Sequence, residues 1–205
     1  MSGIRKIELR QFASWFGRKK RTIEGAIVRD DHPGVIDEID RQWLWPNRLA
    51  TWKSRLSFAN RSHAHWSWLA KRDTGANTLR FVTIASANRY QGIMALDRQP
   101  WRSRLDPNEF ALYVRYVQTA PWNETWLPGF RKLGLVGYHL IQEAVRIAND
   151  EGVAGRIGLH SLPLATRFYE RLGLLNCGND RDYEDLPYLE LPAAKTTNDT
   201  VKETS

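Results

Sequence analysis

The sequence predicts an α/β fold, a single domain in which a mixed, twisted sheet is flanked by helices. Three observations predict it. From Leu79 onward three apolar, β-rich segments follow one another, separated by turn formers. After them a glycine-containing basic turn leads into a helical stripe, then a short apolar run, then a second helix and a last strand. The 205 residues carry 42% hydrophobic and 26% charged side chains, enough for one full core.

Taken in order, the first thirty residues give a weak pattern, with one strand expected at Ile23–Arg29 and a turn at 30–34. Val35, Ile36, Ile39 and Trp43 recur at helical spacing, and Pro46 is expected to stop that helix. Leu49, Trp52 and Leu56 predict a second helix, with 64–69 readable as its continuation or as a strand. Leu79–Ala87, Gly92–Leu96 and Phe110–Gln118 predict an antiparallel meander. Beyond the loop from Thr119 to Gly129, the residues Val136, Leu140, Ile141, Ala144, Val145 and Ala148 form a clear helical stripe ending near Gly152. Arg156–His160 predicts a short strand, Pro163 opens a helix carrying Leu164, Phe168 and Leu172, and Tyr188–Leu191 closes the sheet. The domain is expected to span 1–192, with 193–205 a disordered tail lacking any core-forming run. No internal repeat is present.

Composition narrows the function classes. No apolar run reaches the roughly 20 residues of a membrane helix, and MSGIRKIELRQF is too charged for a secretory signal. The one cysteine, Cys177, rules out an internal disulfide framework and a Cys-rich zinc site, so a cytoplasmic protein is expected. His63 and His65 alternate but lack a third ligand at suitable spacing, and no metal is expected. The net charge of +7, densest at Arg18–Arg21, suits a polyanion or is simply a solvated loop. Nine tryptophans, among them Trp43, Trp45, Trp52, Trp66 and Trp68, stack on bases, line a substrate pocket or fill the core.

Two motifs carry chemistry. In Arg131-Lys132-Leu133-Gly134-Leu135-Val136-Gly137 a turn feeds a helix, which gathers unpaired backbone N–H groups and the positive end of the helix dipole at one point, a site for phosphate. Ala165-Thr-Arg-Phe-Tyr169-Glu-Arg-Leu-Gly173 then places a tyrosine near the end of the next helix. Taken singly, the glycines are turn residues and Tyr169 a core tyrosine with its hydroxyl at the rim.

With these two motifs in this order, the chain resembles the GNAT superfamily of acyl-CoA-dependent N-acyltransferases. The family's pyrophosphate loop reads Gln/Arg-x-x-Gly-x-Gly/Ala. Arg131 and Gly134 match it, Val136 replaces the usual small residue, and Gly137 follows one place late. The second motif is similar to the family's Ala-x-x-x-Tyr-x-x-x-Gly-Phe, with Leu174 for Phe, and Leu162 stands where relatives often have Asn. The resemblance covers about 79–175 and is poor over 1–75. It implies a sheet splayed where CoA enters, acetyl-CoA or another acyl-CoA as co-substrate, and CoA pyrophosphate held by backbone from Arg131 to Gly137. It further implies Tyr169 as the acid that protonates the leaving thiolate, and Ser161 or His160 in place of the Asn contact.

An amine attacks a thioester only when neutral, so a base or water must take its proton. Glu124 and His160 are the candidates, with Ser161 beside the latter. The oxyanion needs backbone donors, expected near Tyr116, Val117, Gln118 and Thr119, which also border the cofactor. The acceptor is a small amine, a peptide or protein amine, or an aminoacyl-tRNA, bound by a monomer or a homodimer. A non-catalytic CoA-sensing or nucleic-acid-binding module on the same scaffold is the alternative.

Overall fold

A computed structural model describes residues 4–11, 21–29, 33–53, 66–75, 77–123 and 133–193. The chain divides into two compact units. One comprises Met1–Gln99 with Val114–Glu143, the other Pro100–Tyr113 with Ala144–Ser205.

The first unit is an antiparallel sheet with helices on both faces. Strands β1 (Ile4–Gln11) and β2 (Arg21–Arg29) pair along their length. Then come helices α1 (Pro33–Lys53) and α2 (Trp68–Gly75), followed by β3 (Leu79–Ser86) and β4 (Arg89–Asp97). β2 pairs β3, β3 pairs β4, and β4 pairs the second half of strand β6 (Phe110–Thr119). Two-residue β7 (Leu133–Gly134) lies against β1, and helix α3 (Val136–Asp150) begins in this unit.

Side-chain alternation along the strands assigns each helix a face. Phe81, Ile93 and Ala95 join Ile36, Ile39 and Trp43 of α1 and Trp68 of α2 in one core. Gly92, at the opposite parity, faces α3: a Cβ there would stand 2.5 Å from Val136 Cγ1 and 3.1 Å from Leu140 Cδ1. Gly92 therefore lets the first turn of α3 lie directly on β4.

The second unit mixes parallel and antiparallel pairing. β5 (Trp101–Arg102) pairs antiparallel with the start of β6. β8 (Ile157–His160) runs parallel to β6 at Leu112 and Tyr113; from Val114 onward the ladder partner of β6 is β4. Helix α4 (Thr166–Arg171) follows, then β9 (Leu175–Asp180) and β10 (Leu186–Leu191). β10 inserts between β8 and β9, antiparallel to both. The predicted α/β class, with a mixed sheet and flanking helices, holds.

Several local expectations do not. Pro46 sits inside α1, so the two helices predicted over 35–56 are one helix through Lys53. The missing N–H forfeits one bond, to the carbonyl of Gln42, while Ile36, Ile39 and Trp43 are already locked in the core. Pro163 opens a turn, and α4 starts three residues later at Thr166. Strands β1 and β9 carry no signal that the sequence reading used. Leu56, His63 and His65, and the tail beyond Ala193, lie outside the described residues. Among the described residues no helix is long and apolar enough to cross a membrane, and no three His, Cys, Asp or Glu side chains are grouped to hold a metal.

Gly158 gives a stability prediction. It sits in β8 between Tyr113 and Glu190, and a Cβ on it would collide with the Tyr188 phenol, 2.8 Å from Cζ. Gly158→Val suits a strand in every other respect. Overpacking of this kind costs about 1–3 kcal/mol. Chemical denaturation should show that loss, and an unchanged midpoint would mean Tyr188 moves aside freely.

Candidate functional site

The loop before α3 is built from unusual backbone. Leu133 and Gly134 are buried and extended against β1, Gly134 opposite Arg10. Leu135 then adopts φ +69° and is 40% exposed. A left-handed conformation is costly for a residue with a Cβ, and such strain concentrates at ligand clamps. A left-handed residue followed by a helical one is a backbone combination able to turn successive N–H groups toward an anion. The first-turn amides of α3 have no intrahelical acceptor, and no acidic side chain occupies that turn. Arg131 and Lys132 lie outside the described residues.

A buried polar network fixes this loop. Asn123, in a 3₁₀ turn at Pro121–Asn123, accepts from the Leu133 N–H at 3.0 Å. Its amide donates to Gln91 Oε1 at 2.9 Å, which also accepts from Trp122 Nε1 at 2.9 Å. Gln91 donates to the Ser86 carbonyl at 3.0 Å. Sequence reasoning did not single out Asn123 or Gln91, because nothing local announces a contact spanning 32 positions. The departure at Val136 has a packing reason: its side chain is buried against Gly92 beneath the loop.

β6 is irregular at Arg115. Tyr116 pairs Ala95 while Val114 pairs Leu96, so Arg115 is the extra residue of a bulge. Its guanidinium grips Asp97 at 3.0 and 2.6 Å. Beyond the bulge, Tyr116, Val117, Gln118 and Thr119 pair regularly with β4. Gln118 is buried and its Oε1 accepts from Trp68 Nε1 at 2.6 Å. Trp43 is core as well, donating to the Tyr90 carbonyl at 3.3 Å. The side chains of Trp45 and Trp52 are not among those described.

α2 is anchored by Asp40, whose carboxylate accepts from Ser67 Oγ at 2.6 Å and from the Trp68 and Leu69 N–H groups at 2.7 and 3.0 Å. One turn on, the Lys71 ammonium lies 3.5 Å from the Tyr116 ring centroid and 4.0 Å from that of Trp66. Burial lowers its pKa from 10.5 to about 8, while the ring faces favour the cation.

In the second unit, Tyr169 of α4 is 8% exposed, and its carbonyl accepts from Leu172 and Leu174 N–H. Burial raises its phenol pKa well above the ordinary 10, so the hydroxyl stays protonated throughout the neutral range. His160 is held on both ring nitrogens, Nδ1 at 2.6 Å from the Tyr113 hydroxyl and Nε2 at 3.0 Å from Asp180, with its ring stacked on Tyr183. Asp180 also pairs with Arg104, which with the His160 bond holds its carboxyl below the usual range. Ser161 is buried and its hydroxyl donates to the Leu162 carbonyl at 3.0 Å. Glu124 and the basic residues 18–20 lie outside the described residues.

No family model matches the chain, and no curated protein matches it. Solved structures do. The PaiA N-acetyltransferase of Thermoplasma acidophilum, in complex with coenzyme A, superposes with a TM-score of 0.54 at 12% identity, covering 82% of this chain and 99% of its own. A GNAT-family acetyltransferase of Listeria monocytogenes 4b F2365 gives 0.53 at 12% identity, covering 88% of this chain and 98% of its own. The fold is that of the GNAT acetyltransferases.

Proposed function

We propose that this chain transfers an acetyl or similar acyl group from acyl-CoA to a primary amine. The observation that carries the reading is the left-handed Leu135 at the mouth of α3. An exposed apolar residue in a costly conformation, ahead of a helix with no acidic first turn, makes sense as a cradle for pyrophosphate. The likeness in fold to an N-acetyltransferase complexed with coenzyme A supports the same cofactor.

In this reading, backbone amides from Leu135 to Gly137 hold the pyrophosphate, with Arg131 and Lys132 adding charge. The neutral amine attacks the thioester carbonyl, the C–N bond forms, and the C–S bond breaks as the tetrahedral intermediate collapses. The amine's proton leaves to a base, and the Tyr169 hydroxyl donates a hydrogen bond to the sulfur as the thiolate departs, the thiolate then taking a proton from water. Because both His160 nitrogens are already bonded, Glu124 or an ordered water is left to take the amine's proton. Strand β6 around Tyr116–Thr119 supplies N–H groups for the oxyanion.

Two measurements test this. Calorimetric titration should show one CoA per chain, and acetyl-CoA should release free thiol when a panel of amines is supplied. Failure to bind CoA would overturn the reading. Binding without thiol release for any amine would favour the non-catalytic sensor.

A further inference from the structure

The face of the first unit opposite α3 holds a cation with aromatic neighbours and no described counter-charge. Lys71 is half-buried, and among the described residues no carboxylate forms an ion pair with its ammonium. Trp66 and Tyr116, themselves packed edge-to-face at 5.3 Å, present their rings to Nζ at 4.0 and 3.5 Å. The arrangement is rigid: Tyr116 is fixed in the ladder with β4, and α2 is pinned to α1 through Asp40. Removing a cation from water without giving it an anion is unfavourable, and ring faces offset only part of that. An anionic ligand group would supply the rest.

Strand parity separates this place from the phosphate loop. Tyr116 pairs Ala95, which faces α1 and α2, whereas Gly92 faces α3. An anion over Lys71 is therefore not the pyrophosphate held at the start of α3. One ammonium between two rings suits a single carboxylate better than a doubly charged phosphate, which calls for several donors.

Resting on the acyl-transfer reading, we propose that Lys71, set between Trp66 and Tyr116, binds a carboxylate of the acyl acceptor, so that the substrate is an amine that also carries an acid group. The cradle then sets specificity: it lowers KM for acidic amines and gives no advantage to neutral ones.

The test uses the unmodified full chain first. Lys71 is labelled with acetic anhydride and followed residue by residue by mass spectrometry, with glutarate, the neutral glutaramide or inorganic phosphate present. Glutarate should slow labelling of Lys71 about tenfold or more while other lysines react as before, and glutaramide should have no effect. No protection by glutarate, or equal protection by phosphate, overturns the carboxylate assignment. In calorimetry, Lys71→Met should weaken glutarate binding roughly 10- to 100-fold, the scale of a charge-assisted hydrogen bond. Lys71→Arg should stay within a few-fold, and both variants should bind CoA as the parent does. Glutarate binding that survives Lys71→Met overturns the proposal. If the chain transfers no acyl group to any amine, the labelling and glutarate measurements still read this subsite on their own.

Discussion

Gly137→Asp is expected to leave the fold intact, or slightly more stable, and to abolish CoA binding. The two effects have opposite signs for one reason. Gly137 lies in the first turn of α3, and aspartate, ranked just above glycine as a helix former, gains only about 0.1–0.3 kcal/mol there. A carboxylate at that end also interacts favourably with the helix dipole, by about 0.3–1 kcal/mol. The same charge stands where the pyrophosphate should sit. Even at an effective dielectric of 20, like charges about 4 Å apart repel by roughly 4 kcal/mol each, about a thousandfold in affinity. Gly134→Asp is a poorer probe, because Gly134 is buried against Arg10 of β1 and the variant would disturb β7 as well. Calorimetry with CoA and a thermal melt on Gly137→Asp separate binding from folding. Parent-like CoA affinity would remove the phosphate assignment from α3.

How much of this was legible in the sequence depends on whether each feature is local. α3 was readable because Val136, Leu140, Ile141, Ala144 and Ala148 all turn to one buried side, and β3, β4 and β6 because their apolar runs are bounded by turns. β1 was not, because Arg5 shares the inward parity of Ile7 and Leu9. Arg5 is accepted there by Glu143, 1% exposed, at 2.8 Å, a partner 138 residues away. β9 escaped for the opposite reason: Leu175, Asn176 and Gly178 are exposed, and the strand exists through its pairing with β10. The loop ahead of α3 drew notice through its glycines, but the residue with the left-handed backbone is Leu135, which no glycine pattern marks. The cradle around Lys71 joins α2 to β6 and had no local signature at all.

Tyr169→Phe should keep the fold and CoA affinity while lowering turnover, since only the hydroxyl is lost. Loss of a general acid typically costs on the order of 10²–10⁴ in rate. Here the lower end is expected. Burial holds the phenol pKa well above 10, so full transfer to a thiolate, whose conjugate thiol has a pKa of about 8.5, runs uphill. The hydroxyl then acts chiefly by donating a hydrogen bond as charge builds on sulfur. The defect should fall on kcat rather than on KM for acyl-CoA, because that charge exists only as the C–S bond breaks. It should shrink with acyl donors whose leaving thiol is more acidic. The raised pKa also fixes the pH behaviour: Tyr169 remains protonated through pH 10, so any fall in rate below that pH must come from another group and persist in the Phe variant. Turnover equal to the parent's, with any one acceptor, would make Tyr169 a packing residue.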